Sequence, residues 1–161
     1  MKAVAIALLT ICIFSTPAKA GEYPSLNSFQ GVTDIVVTSA HPGLSEEAVR
    51  QYVQDRLQER GLLIRSDGSG NVYLAVEISV VRRQDDSGRC SYTAYDTSIT
   101  LKEKVTLMRA QEVDFDAVTW RSGMRVSVMG GAVPPLTVQQ NVENLLGKFI
   151  QAAILARQFS Q

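Results

Sequence analysis

The order strand, helix, three strands, helix predicts an α+β two-layer sandwich: a largely antiparallel four-stranded sheet with two helices packed on one face. Three observations carry this expectation. Residues 72–82 alternate strictly between a dry face and a wetter one, a capped helical stripe precedes them, and a longer helical stripe closes the chain.

The first strand is read at residues 32–40, a β-branched run bounded by the turn His41-Pro42-Gly43. A helix then opens. Ser45 suits its N-cap, Glu46 and Glu47 favour the positive helix end, Leu44 is placed to staple onto Val49, and Gly61 closes the segment. Val49, Tyr52, Val53 and Leu57 form its apolar stripe. In the second strand Val72, Leu74, Val76, Ile78 and Val80 point one way, and Tyr73, Ala75, Glu77, Ser79 and Val81 the other. Two further alternating runs follow, one with Tyr95, Thr97, Ile99, Leu101, Val105 and Leu107, the other with Val118, Trp120, Ser122 and Met124. Three successive strands separated by turn signals predict an antiparallel meander. The last helix is expected to begin at Thr137, with Gln140 as its capping-box partner, and to run to about Gln158. Val138, Val142, Leu145, Leu146, Phe149 and Ala153 make its core stripe, opposite Gln140, Asn144, Gly147 and Gln151.

Ahead of these elements stand Met1-Lys2, an apolar run over residues 3–14, Ser15-Thr16-Pro17 and the small-residue pattern Ala18-Lys19-Ala20. A short positive region, an apolar core of about 12 residues where spanning a bilayer needs about 20, and an A-x-A site describe a cleaved secretory signal peptide at residues 1–20. Ile11 before Cys12 argues against a lipid-modified cysteine. The expected organisation is therefore a signal over 1–20, an irregular lead-in over 21–31 and one domain over 32–158, periplasmic or secreted, with no transmembrane segment after cleavage.

Removal of the signal leaves 141 residues, enough for one core without staples, with 14 basic against 16 acidic side chains. That balance gives no electrostatic case for a nucleic-acid partner. Cys90 becomes the sole cysteine, which excludes an intramolecular disulfide and leaves a candidate intermolecular thiol.

The element order resembles that of small bacterial envelope domains: the N-terminal domain of TolB, the LptE family and auxiliary lipoproteins of ABC transporters. Thr119-Trp120-Arg121-Ser122-Gly123, followed by a helix containing Phe149-Ile150, resembles the end of a family of uncharacterised secreted bacterial proteins. The resemblance implies an envelope location and an accessory role. It supplies no catalytic residue.

The residues themselves carry no reactive constellation. His41 is the single histidine, so a His/Cys metal cluster cannot be built from one chain. Asp67-Gly68-Ser69-Gly70-Asn71 opens like a calcium loop but has Val72 in place of the sixth-position glycine and Ile78 in place of the closing glutamate. Gly130-Gly131 lacks the Gly-Lys-Ser/Thr ending of a phosphate loop, and no serine stands in Gly-x-Ser-x-Gly or Ser-x-x-Lys. No cofactor is expected. Glu77, Asp96 and Glu103 lie on strands that could be neighbours. In a meander, Glu77 and Asp96 share the wetter face with Lys102, Arg121 and Arg125, where opposite charges pair across the ladder. Arg56, with Arg60 close by, falls in the middle of the first helix's apolar stripe, which requires an edge position, an acid or a ligand. Ile154 and Leu155 extend apolar area around the last helix and are read as a contact surface.

The function that fits is a non-catalytic accessory or binding module of the cell envelope, acting on an unidentified envelope protein or an amphipathic ligand. Two other classes compete with it: an enzyme with a carboxylate-based site on the open sheet face, and a structural homodimer.

Overall fold

The computed structural model describes residues 26, 29–63, 72–84, 87, 90–107, 110–129 and 132–159, without the side chains of 83, 84, 90–92, 107, 110–113, 128, 129 and 159. The elements are β1 (Asp34–Ser39), α1 (Glu46–Glu59), β2 (Val72–Gln84), β3 (Cys90–Leu107), β4 (Ala110–Met129) and α2 (Pro135–Phe159). They form one four-stranded sheet in the order β1-β2-β3-β4, with two helices packed against it. This is the fold class read from the sequence.

Each pairing follows from its connection. β1 reaches β2 through α1, and a helical crossover returns the chain parallel, with Val36 beside Ala75 and Thr38 beside Glu77. β2, β3 and β4 follow one another through turns and are antiparallel. An isolated parallel bridge from Val32 to Leu63 extends the β1 side of the sheet.

The helices form where their caps allow. The Ser45 hydroxyl accepts the Ala48 N–H at 3.2 Å, and Gly61 leaves α1 with a φ of +61°, a conformation that a side chain would strain. Val49, Val53 and Leu57 of α1 are buried, and α1 lies over β1. Arg56 is half exposed, its Nη1 donating to Glu59 at 3.0 Å, and Arg60 is the exposed C-cap. The apolar stripe of α1 thus ends at an edge, and an acid meets the first arginine. α2 begins two residues before Thr137, because Pro135 takes the first helical position, where a missing N–H costs nothing. Its predicted stripe is wholly buried over β3 and β4.

One strand departs from its predicted pattern. Leu101 pairs with Trp120 but Lys102 pairs with Val118, so Thr119 is an extra residue in β4, a β-bulge. Alternation alone puts Val118 and Trp120 on one face. The bulge separates them: Trp120 is 4% exposed in the core and Val118 is 57% exposed on the opposite face. In the core, Trp120 meets Phe149 edge-on at 5.2 Å, and Phe149 meets Phe29 at 5.9 Å. Leu26 and Phe29, both ahead of β1, are buried in the same cluster.

The turn histidine is part of the packing. His41 is buried, its Nδ1 accepts the Gly43 N–H at 3.0 Å, and its ring lies 4.7 Å from that of Tyr95. With Nδ1 an acceptor, Nε2 carries the proton and donates to the Val133 carbonyl at 3.0 Å. His41 therefore ties the β1–α1 turn to the entry of α2.

Candidate functional site

Both helices cover the face that carries Leu74, Ile99 and Trp120, which leaves the opposite face of the sheet open. Its side chains fall in rows set by the register. Asp34, Tyr73, Lys102 and Val118 form one row, Val36, Ala75, Thr100 and Arg121 the next, and Thr38, Glu77, Ser98 and Gly123 a third. The middle row is short at its centre: Ala75 is buried between Tyr73 and Glu77, and Thr100 is buried beside Lys102. The result is a groove of about 450 Å³ over β1, β2 and β3, which Lys104 and Asp116 extend toward the end of the sheet.

The walls carry charges of both signs, and hydrogen bonds hold several of the acids. The Tyr73 hydroxyl donates to Asp116 Oδ2 at 2.6 Å, and this bond, with some burial and the charge of Asp116, pushes the phenol up to about 12. Lys102 Nζ stands 5.7 Å from the Tyr73 ring centroid, a cation–π contact. Asp34 Oδ1 accepts the Ile35 N–H at 2.7 Å. Val36, 40% exposed, gives the floor an apolar patch.

Next to the groove, Asp96 accepts two hydrogen bonds from Arg125, at 2.5 and 2.7 Å. Those bonds hold its carboxyl below the usual carboxylate range, reinforced by the arginine charge and opposed by partial burial. The cross-strand pairing expected from the sequence is thus present for Asp96. Glu77 and Asp96 share the open face as expected, but they are diagonal in the register: Glu77 lies opposite Ser98, and Asp96 opposite Ser79 and Arg125. Glu103 lies opposite Val72, one residue out of phase with Lys102 and so on the other face.

Of the residues singled out on α2, Leu155 is 46% exposed and Ile154 is half-buried. They lie on the helix side of the sheet, apart from the groove. The side chain of Cys90 and residues 67–71 and 130–131 fall outside the described residues. Among the described residues no group of three His, Cys, Asp or Glu side chains is placed to hold a metal ion, and no helix is long and apolar enough to cross a membrane.

Sequence reasoning placed Tyr73, Ala75 and Glu77 on the wetter face but did not find the groove, because the contributions of Asp34, Val36 and Thr38 depend on the parallel register of β1. One signal was present. Ala75 is the shortest side chain on its face of β2, and a short residue between tyrosine and glutamate marks a depression.

No protein-family model matches the chain, and no curated protein matches it. Solved structures give a distant likeness to bacterial lipoproteins. A PelC dodecamer from Paraburkholderia phytofirmans, a point variant, has 11% identity and a TM-score of 0.40, covering 79% of this chain and 88% of that one. The rare lipoprotein B of Shewanella oneidensis has 12% identity and a TM-score of 0.30, covering 76% and 89%. A minor lipoprotein from Acinetobacter baumannii has 14% identity and a TM-score of 0.31, covering 80% and 87%. At these values the likeness is one of chain path, and no residue of the groove is carried across.

Proposed function

We propose that the chain is an exported, non-catalytic binding module of the bacterial cell envelope, which holds a protein or amphipathic ligand against the open face of its sheet. The observation that supports this reading is the make-up of the groove. An apolar floor of Val36 and Ala75 is framed by Asp34, Glu77 and Asp116 and by Lys102 and Lys104. A ligand with apolar and charged parts matches such a surface. Asp34, Asp96 and Asp116 are each engaged by a hydrogen-bond donor, an arrangement that fixes charge in place for recognition.

Export is the other part of the reading and rests on the signal pattern at residues 1–20. The test is Ala75→Arg, which fills the floor of the groove from a position outside the helix-covered core. Affinity capture from the host envelope with the wild-type chain and with this variant, each checked by thermal melting, measures the groove's role. Loss of the captured partner from a folded variant supports the proposal. Full retention of every partner by that variant overturns it.

A further inference from the structure

We propose that the outer edge of β4 pairs antiparallel with the same edge of a second copy, joining two four-stranded sheets into one continuous sheet. The two edges of the sheet are unlike. β1 has 6 residues and α1 closes its edge: Arg50 Nη1 donates to the Ile35 carbonyl at 2.8 Å, and Glu46 Oε1 accepts the Ser39 N–H at 3.0 Å. β4, at the other edge, has 20 residues, and among the described residues no strand pairs with its outer side.

The charge along β4 identifies the occupant. Asp114 and Asp116 are exposed in its first half, Arg121 and Arg125 are exposed in its second, and all four lie on the open face because the bulge at Thr119 shifts the alternation between them. An antiparallel copy centred between Val118 and Thr119 sets Asp116 opposite Arg121 of the partner subunit, and the two-fold axis repeats the pair. Asp114 then falls diagonally between Arg121 and Arg125 of the partner subunit, within reach across adjacent strands. In-register parallel pairing would set like charges side by side. The strand is complementary to itself in one direction only.

The apolar side agrees. Beyond the start of β2 at Val72, β3 and β4 continue as a two-stranded arm, with Lys104 opposite Asp116 and Val105 opposite Phe115. Phe115 is 45% exposed on the helix side of this arm. A lone two-stranded ribbon is marginal in water, and in the proposed register each arm lies along the section of partner strand that α2 covers. Leu155 supplies apolar surface on the same side. Arg157 donates to the Gly61 carbonyl at 3.1 Å and so marks the α1 flank of α2, and Leu155 lies about 200° from it at 100° per residue, on the flank toward β4.

Sedimentation equilibrium of the exported chain tests the pairing, with thermal melting as the check on folding. The expected result is a dimer that Arg121→Asp and Asp116→Arg each weaken by roughly tenfold or more in Kd, since each reversal acts twice across the axis. Combining the two changes in one chain swaps the charges and should restore the dimer. Phe115→Ser, at an exposed position, should weaken it while the monomer still folds, with Tm falling toward the value the wild-type chain shows at concentrations where it is dissociated. A chain that stays monomeric at about 100 μM overturns the proposal. So does a dimer indifferent to all these changes, or a folded double variant that fails to recover association.

Discussion

Replacing Trp120 with alanine tests the register of β4 and the centre of the core together. Trp120 is 4% exposed and edge-on to Phe149 at 5.2 Å, with the fully buried Leu101 as its cross-strand partner. Truncating a buried tryptophan costs about 3–5 kcal/mol, and loss of the aromatic pair places the change in the upper part of that range. For the 141 residues that cleavage after residue 20 would leave, at about 2.1 cal/mol/K each, the unfolding entropy is about 0.3 kcal/mol/K, so about 4–5 kcal/mol lowers Tm by about 13–17 °C. The assay is thermal unfolding by far-UV circular dichroism, since Trp120 is the only tryptophan and the variant loses its fluorescence. Val118→Ala is the paired control. At 57% exposed on the opposite face it should change stability by no more than about 0.5 kcal/mol. A small shift for Trp120→Ala, or a comparable loss for Val118→Ala, would refute the bulge that separates them.

Further outcomes follow from other contacts. His41→Phe keeps the ring beside Tyr95 but strands the Val133 carbonyl and the Gly43 N–H, so chemical denaturation should report a loss of about 1–3 kcal/mol. Tyr73 binds its proton more tightly in the fold than its unfolded value of 10.0, so its contribution is present below pH 10.0 and lost as pH rises through about 12. Ultraviolet titration should show a late-ionising tyrosine fraction, to which Tyr52, raised chiefly by burial, also contributes, and Tyr73→Phe should diminish that fraction. The carboxyl of Asp96 is lowered from 3.8, so its contribution is present above pH 3.8 and lost as pH falls through the folded value. Being partly exposed, the pair with Arg125 is worth no more than about 1 kcal/mol, and Arg125→Gln should flatten that acid limb of the stability profile. Mass spectrometry of exported material should find a chain beginning at Gly21, and a product that retains residues 1–20 or carries lipid on Cys12 would contradict the signal-peptide reading.

The elements were legible because each carries a local signal. Alternation marked Val72 to Val80, caps marked Ser45 and Gly61, and the buried stripe of α2 appeared at helical spacing. What escaped depends on pairing between distant segments. Period-two reasoning has no means to see that Thr119 is an extra residue, because a bulge is defined by its partner strand, here Leu101 and Lys102. The groove escaped for the same reason: Asp34 and Val36 meet Tyr73 and Ala75 only through the parallel register. Phe29 looked like part of a polar lead-in because one aromatic among polar residues carries no periodicity, yet it packs on Phe149. α2 begins at Pro135 and not at the expected Thr137, because proline is suited to a first helical turn.

The groove reading is tested most directly by backbone amide chemical-shift mapping of the isotope-labelled chain as a partner captured from the envelope is added. The account predicts shifts centred on Asp34 to Thr38, Tyr73 to Glu77 and Lys102 to Lys104, and their loss in Ala75→Arg. Shifts confined to α2, with the open face of the sheet unchanged, would contradict it.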